Sequence, residues 1–109
     1  MANYLLTNKA VEDLSKIYEY TFEFWSENQA DKYYEDLIDF CQLLAENPNI
    51  GKNYTEVDKE FYGFLANKHI IFYRILSQTE IEVERILGAD FLQRSLKKAL
   101  ISLSRIYVK

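Results

Sequence analysis

Residues 61–87 read FYGFLANKHIIFYRILSQTEIEVERIL, and this stretch decides the fold. It contains three runs rich in β-branched and aromatic residues, separated by short polar segments; the runs are Phe61–Ala66, His69–Leu76 and Glu80–Leu87. Asn67-Lys68 and Ser77-Gln78-Thr79 have the composition and length of hairpin turns. We therefore expect three consecutive antiparallel strands. The second run belongs at the centre because it is apolar on both faces except at Arg74.

The third run alternates between apolar and acidic residues, as a strand covered on one face does. One predicted face carries Ile81, Val83, Arg85 and Leu87, and the other carries Glu80, Glu82 and Glu84. Gly88 ends the run. The alternation predicts a sheet with helices on one face and water on the other.

Upstream of these runs the apolar period becomes helical. A first helix is expected from Lys9, after the N-cap candidates Thr7 and Asn8. Its apolar stripe consists of Ala10, Val11, Leu14, Ile17, Tyr18, Thr21, Phe22 and Trp25. Ser26–Gln29 reads as a capping box that opens a second helix, and this helix ends at Asn47-Pro48. Its stripe consists of Ala30, Tyr33, Tyr34, Leu37, Ile38, Cys41, Leu44 and Ala45. The short link predicts an antiparallel helical hairpin.

Short segments complete the predicted order. Tyr4-Leu5-Leu6 is β-prone, residues 49–59 read as a polar loop, and Phe91–Val108 combines helical apolar spacing with basic residues. The fold class is therefore α+β: an N-terminal helical hairpin packed on a small antiparallel sheet, in the order β-α-α-β-β-β, with a C-terminal helix. We expect a single domain over residues 1–109, of which 88–109 form a basic helical extension.

The composition is that of a globular domain, with 109 residues, 49% hydrophobic and 28% charged. One Cys and one His argue against an internal disulfide and a conventional transition-metal site, and we expect no cofactor. No apolar run approaches the length of a membrane span, and the N-terminus lacks a signal pattern. We therefore expect a cytoplasmic protein without membrane contact.

Charge is distributed unevenly along the chain. Residues 1–48 carry three Lys against ten acidic residues, whereas residues 88–109 carry five basic residues against Asp90 alone. Because affinity for phosphate comes from Lys and Arg, the acidic half disfavours nucleic acid as the main partner. We expect no direct sequence-specific nucleic-acid binding by the chain alone. The basic tail either contacts an anionic surface or solvates a terminal helix.

No motif in the chain specifies catalysis. The acidic pairs look like solvated faces, and three isolated Gly residues cannot form a phosphate-binding loop. Cys41 has the spacing of a core residue and is expected to be an inert buried thiol. His69 opens a strand beside a turn, where a structural imidazole and a general base are both possible interpretations.

Arg74 and Arg85 are the residues that fit a purely structural interpretation least well. Each stands among apolar residues, where an unpaired guanidinium is costly. Two roles are open for both of them. They either pair with acidic residues of the helices or are displayed on a face that binds a ligand.

A resemblance to a known family rests on anchors in both halves of the chain. The anchors are Tyr4-Leu5-Leu6-Thr7, Asp13-Leu14, Trp25, Gln29-Ala30, Leu44-Ala45-Glu46-Asn47-Pro48, His69-Ile70-Ile71-Phe72-Tyr73-Arg74 and Arg85-Ile86-Leu87. Together they resemble the ParE branch of the RelE/ParE toxin superfamily, over residues 4–87. The family fold is a helical hairpin against an antiparallel sheet, in agreement with the periodicity.

The resemblance implies the toxin of a bacterial type II toxin–antitoxin module, a kind of module linked to plasmid stabilization. ParE-like toxins bind and inhibit DNA gyrase and are not catalysts, and a cognate antitoxin neutralises them by laying a helix and an extended segment over the toxin. The residues expected to bind the target or the partner are His69, Tyr73, Arg74, Arg85, Arg94, Lys97 and Lys98. No catalytic or metal-binding residue is expected.

Two other functions stay open at this stage. RelE-like relatives cleave messenger RNA on the ribosome, and a basic set for that chemistry would consist of Arg74, Arg85, Arg94 and Tyr107. Gly88 stands where the family usually places His, which removes one proton-transfer group, and the acidic balance disfavours docking to a ribosome. The third function is that of an inactive family member kept as an antitoxin partner.

Overall fold

The computed structural model describes residues 1–89, and the helix predicted over Phe91–Val108 lies outside this range. In chain order the described elements are β1 (Asn3–Leu6), α1 (Asn8–Phe24), α2 (Glu27–Glu46), a 3-10 turn (Pro48–Ile50), β2 (Lys52–Asn53), β3 (Phe61–Ala66), β4 (His69–Ser77) and β5 (Glu80–Gly88). The α+β class and the predicted order are confirmed. β2 is an additional strand of two residues inside the segment that was expected to be a loop.

Both helices begin where capping chemistry predicts. Thr7 Oγ1 accepts a hydrogen bond from the Ala10 amide at 3.0 Å, and Ser26 Oγ accepts one from the Gln29 amide at 3.1 Å. Each cap satisfies one of the amides that the first turn of a helix leaves without an internal partner. The two helices pack against each other as the predicted hairpin.

The strands form one mixed sheet in the order β1-β5-β4-β3-β2. β3, β4 and β5 pair antiparallel as predicted, and Asn67 in the β3–β4 turn has a φ of 59°, a conformation that Asn tolerates better than most residues. β1 runs parallel to β5, so the expectation of a purely antiparallel sheet is wrong at this edge. The chain leaves β1 through the helical hairpin rather than a tight turn, and such a long crossover permits parallel pairing.

A bulge in β5 changes which residues face the helices. The β4–β5 ladder skips Glu84, which stands as an extra residue in β5. The predicted alternation holds for Ile81 and Val83, which pack in the core beneath the helices. Beyond the bulge Ile86 occupies that core, whereas Leu87 packs against the cluster on the other side of the sheet. The predicted face was therefore wrong for Leu87, and Glu84 is buried rather than solvated.

Apolar residues are buried on both faces of the sheet. The largest residues of the core beneath the helices are Leu37, Leu44, Ile71, Tyr73 and Ile81. Adjacent residues of a strand point to opposite faces, and the second face carries a smaller cluster of Tyr54, Val57, Phe61 and Phe72. The face that was expected to be wet is therefore partly covered, which agrees with the prediction that β4 is apolar on both sides.

The apolar stripe predicted on α1 is only partly buried. Ala10 and Leu14 lie in the core, but Val11, Phe22 and Trp25 are exposed. The fully buried residues of α1 all lie in its first half, which packs on β5. The second half of α1 carries aromatic side chains at the surface, and this end of the helix borders a groove.

Candidate functional site

Arg85 is held against the helical hairpin by a two-point ion pair. Its Nε donates to Asp13 Oδ2 at 2.8 Å and its Nη2 donates to Asp13 Oδ1 at 3.0 Å. The Ile86 amide donates to the same Asp13 Oδ2 at 2.9 Å, and Asp13 itself is buried on α1. Of the two roles open for Arg85, pairing with an acidic residue of a helix is the one observed. The pair ties β5 to α1.

Arg74 pairs with a carboxylate that is not on a helix. Its Nη2 lies 3.4 Å from Asp58 Oδ2, in the loop before β3. β3 places Phe61 opposite Arg74 in the ladder, which brings that loop rather than a helix within reach. Burial and the neighbouring Glu82 carboxylate raise the pKa of Glu84 to about 8, and the positive charge of Arg74 opposes this rise. The carboxylate observed beside Arg74 therefore lies in a loop and not on a helix.

Tyr73 lies in the core, which contradicts its expected place on a contact surface. Its ring is fully buried, its hydroxyl donates to the Pro48 carbonyl at 2.7 Å, and the Gly51 amide donates to that hydroxyl at 3.2 Å. Burial raises the pKa of Tyr73 to about 12. Because β4 is the central strand and both its faces are covered, an aromatic residue there is a core residue. Tyr73 joins the 3-10 turn to the sheet.

His69 forms a hydrogen-bonded pair with Tyr33 of α2. The Tyr33 hydroxyl oxygen lies 2.7 Å from His69 Nδ1, and the Lys68 amide donates to that oxygen at 3.2 Å. We assign Tyr33 as the donor to Nδ1, because its oxygen accepts from Lys68 and this direction gives the phenol O–H an acceptor as well; the His69 proton is then on Nε2. Burial lowers the pKa of His69, and the negative charge of Asp13 opposes this shift. The imidazole is therefore a neutral donor near pH 7.

A groove of about 710 Å³ lies beside this pair. Its walls come from the second half of α1, the start of α2 and the turn between β3 and β4, and the side chains used below are Lys16, Ile17, Tyr20, Trp25, Lys68 and His69. Tyr20 is 61% exposed and Trp25 is 71% exposed. None of the described residues that line the groove is acidic. The groove therefore has exposed aromatic rings, Tyr20 and Trp25, and two positively charged side chains, Lys16 and Lys68.

Sequence reasoning identified only His69 among these groove residues. Trp25 was assigned to the buried stripe of α1, and Lys68 was interpreted as a turn residue alone. The usable signal was the run of alternating aromatic residues at the end of α1, which are Tyr18, Tyr20, Phe22 and Phe24, followed directly by Trp25. A helix turns one face to the core, so residues spaced by two cannot all be buried. Some of these rings had to reach the surface.

Other expectations about the site concern reactive and basic residues. Cys41 is buried in the main core as predicted, and burial raises the pKa of its thiol to about 12.

Within residues 1–89, no group of three His, Cys, Asp or Glu side chains could hold a metal ion. In the same range no helix has the length and apolar character that a membrane crossing requires. Arg94, Lys97, Lys98 and Tyr107 lie outside the described residues.

Comparison with known proteins gives consistent family matches. The sequence profile of the family described as ParE toxin of type II toxin-antitoxin system, parDE, matches residues 4–90. The chain is 31% identical over 86 residues to Toxin ParE1 of Mycobacterium tuberculosis, which covers 79% of this chain and 88% of that protein. It is 28% identical over 87 residues to Toxin ParE1 of Caulobacter vibrioides, which covers 80% and 88%.

A solved structure has the same fold. A chain from the structure of a chromosomal ParDE TA system from P. aeruginosa superposes with a TM-score of 0.68, at 21% identity. The match covers 81% of this chain and 96% of that chain. At this identity the likeness establishes the fold alone.

Proposed function

Because this chain belongs to the ParE toxin family of type II toxin–antitoxin systems, we propose that it binds and inhibits DNA gyrase and that a cognate antitoxin neutralises it. The observation that carries the proposal is the family match over residues 4–90, which spans the described strands and helices from the second residue of β1 onward. Inhibition of gyrase is the activity that the family resemblance implies. We further propose that the toxin acts in the cytoplasm and serves plasmid stabilization.

The environment of two arginines favours a binding protein over a messenger RNA endonuclease. Arg85 is engaged by Asp13 through two nitrogens of its guanidinium, and Arg74 lies against Asp58. A guanidinium that already faces a carboxylate supplies less positive potential to a phosphorane than one that faces solvent. The two arginines also reach toward different elements, α1 and the loop before β3. An RNase site built on them would therefore use guanidinium groups whose charge is already partly compensated.

The structure changes the set of residues that we propose to contact the target or the partner. Tyr73 leaves the set because it is buried, and Arg85 leaves it because it joins β5 to α1. His69 stays because it lines the groove, and Arg74 stays because its side chain is 26% exposed at the surface of the sheet. We also keep three tail residues in the set, which are Arg94, Lys97 and Lys98, within the basic extension 88–109 of a single domain.

A supercoiling assay with purified gyrase tests the proposal directly. The toxin is expected to inhibit supercoiling of relaxed plasmid and to trap cleaved DNA, and prior mixing with the antitoxin should abolish both effects. An unaffected gyrase at a large excess of toxin would refute the proposed target. The tail is tested with the double variant Lys97→Glu, Lys98→Glu, beside the charge-matched control Lys9→Glu, Lys32→Glu. Equal inhibition by both variants would remove the tail from the contact set.

The same question is answered in cells by labelling DNA and protein synthesis separately in the first minutes after induction. If gyrase is the target, DNA synthesis stops first. If protein synthesis stops first, the endonuclease function replaces the present proposal. Absence of growth arrest would instead support an inactive member that only binds the antitoxin.

A further inference from the structure

The sheet face turned away from the helices carries an aliphatic row near the end of β5. The register places Leu65 of β3 opposite Ile70 of β4, and Ile70 opposite Leu87 of β5, and residues paired in this way point to the same face. Ile70 and Leu87 pack at the border of the cluster on that face, and each keeps part of its surface exposed. Leu65 is 61% exposed. The row is therefore an apolar surface that a further element can bury.

The described part of the chain ends beside this row. Gly88 pairs with His69, and the Ala89 amide donates to the Lys68 carbonyl at 2.9 Å, so the backbone stays attached to the sheet as far as Ala89. Leu87 lies only three positions before residue 90. A segment that starts at residue 90 therefore meets the aliphatic row before any other part of this face.

The sequence of residues 90–109 has one apolar side to bury. On the helix predicted over Phe91–Val108, one face carries Leu92, Leu96, Leu100 and Leu103. The opposite face carries Arg94, Lys98 and Arg105. Such a helix would be about 27 Å long, and the nine residues of β4 span about 30 Å. The segment therefore has the length of the sheet.

Charged groups on the same face are compensated. Arg74 lies 3.4 Å from Asp58, and burial together with the Glu82 carboxylate raises the pKa of Glu84 to about 8. Glu84 is therefore mostly protonated near pH 7. A protonated carboxyl and a paired guanidinium are less costly to cover with apolar side chains than isolated charges are.

We propose that residues 90–109 dock on this face of their own chain, with the leucine stripe turned to the sheet and the row at Leu87 as the first contact. The basic residues of the segment then point away from the sheet. Residues 1–48, which include the helices on the other face, carry three Lys against ten acidic residues. The docked segment therefore gives the molecule a basic side opposite its acidic side.

The docking does not rest on the proposed function, but it bears on how the target is contacted. Of the tail residues in the contact set, Arg94 and Lys98 fall on the outward face of the predicted helix, and Lys97 lies at its border. A segment already held by the sheet loses less conformational entropy on binding than an extended tail does. The basic side is then the surface that meets an anionic partner.

Trypsin provides the first test, because it cleaves after Lys and Arg and the segment contains several such sites. The rate of cleavage after Lys98 is measured in the full-length protein and in the free peptide 90–109, and their ratio is the protection factor. We expect a protection factor of at least about tenfold for the wild type. Leu96→Ser should lose most of this protection, since it removes a leucine from the apolar stripe.

Ile101→Ser is the matched control. Ile101 is as close in sequence to Lys98 but falls on the outward face of the predicted helix, among the basic residues. Its protection factor should stay within about twofold of the wild type. Each variant is compared with a free peptide that carries the same substitution, which removes any effect on the protease itself.

A second measurement needs no variant. Nuclear Overhauser contacts between labelled methyl groups report side chains that touch. We expect contacts from Ile70 or Leu87 to the leucines of the segment. Contacts from the segment to the helices, without any to the sheet face, would contradict the docking site.

Three results of the protease assay decide the inference. Equal protection factors for Leu96→Ser and Ile101→Ser, or a wild-type value near one, would overturn it. Protection that increases with protein concentration would also overturn it, because the segment would then dock on a second copy. If gyrase is unaffected by a toxin whose segment is protected as expected, the proposed target fails and this inference stands.

Discussion

Removal of the Asp13 carboxylate is expected to destabilise the fold strongly. Asp13 accepts three hydrogen bonds, two from the Arg85 guanidinium and one from the Ile86 amide, at distances between 2.8 and 3.0 Å. The variant Asp13→Ala withdraws all three at once. It leaves a guanidinium without this carboxylate at the junction of β5 and α1, and it takes the acceptor from a buried backbone amide.

The size of the effect follows from burial. Removing one member of a buried ion pair costs about 3–5 kcal/mol. The side chains of Arg85 and Asp13 are 22% and 10% exposed, so water can partly solvate the remaining charge. We therefore expect about 3 kcal/mol, near the lower end of that range. For a domain of this size, this loss corresponds to a fall in Tm of roughly 12–24 °C.

Urea unfolding and calorimetry measure this loss, with Glu12→Ala as the control. Glu12 is the neighbouring acidic residue on α1, its side chain is 55% exposed, and its ion pair with Lys9 is 3.9 Å long. Its removal should change the free energy of unfolding by less than about 0.5 kcal/mol. A double-mutant cycle with Arg85→Met should show a coupling of at least about 1 kcal/mol. If Asp13→Ala and Glu12→Ala have the same free energy of unfolding, the Asp13–Arg85 pair does not stabilise the junction of β5 and α1.

Three further predictions concern other contacts of the fold. A Cβ on Gly51 would lie 2.5 Å from the Tyr73 hydroxyl, so Gly51→Ala should lower stability by about 1–3 kcal/mol. Adding Tyr73→Phe should recover part of that loss, and an unchanged urea midpoint for Gly51→Ala alone would contradict the contact. The raised pKa of Glu84, about 8, means that folding favours its protonated form, so this group lowers stability as pH rises from about 4.5 to 8. Glu84→Gln should therefore reduce the pH dependence of the free energy of unfolding, and the variant should be more stable than the wild type at pH 8. A variant with the pH dependence of the wild type would refute this. Tyr33→Phe removes the hydrogen bond that favours neutral His69, and NMR titration of this single His should show a higher pKa than in the wild type.

Local sequence signals were sufficient for most of the fold. The turn at Asn67-Lys68 and the caps at Thr7 and Ser26 each depend on residues within a few positions of one another, and all three were predicted. The direction of β1 was not, because it is determined by packing against a strand that comes late in the chain. The bulge at Glu84 was missed for a related reason. Alternating polarity in one strand does not reveal an extra residue in its pairing.

The candidate site was harder to predict because its residues meet only in space. The partner of Arg85 is 72 positions away, and Tyr33 and His69 are 36 positions apart. A helical partner for Arg85 was anticipated, but nothing in the sequence distinguished Asp13 from the other acidic residues of the hairpin. The groove arises between two helices and a turn. The surplus of exposed rings on α1 could be predicted, but the presence of Lys16 and Lys68 in the same groove could not.

The pairing of β1 with β5 has a consequence for the order in which a newly made chain can fold. The Thr7 hydroxyl donates to the Glu84 carbonyl at 2.8 Å, and 77 positions separate these residues. At usual rates of translation, roughly 4–15 s pass between their syntheses. The helical hairpin ends at Glu46 and is contiguous in sequence, so it can form before the turn carrying Lys68 and His69 is added. A chain on the ribosome therefore presents Tyr20 and Trp25 before Lys68 and His69 complete the groove.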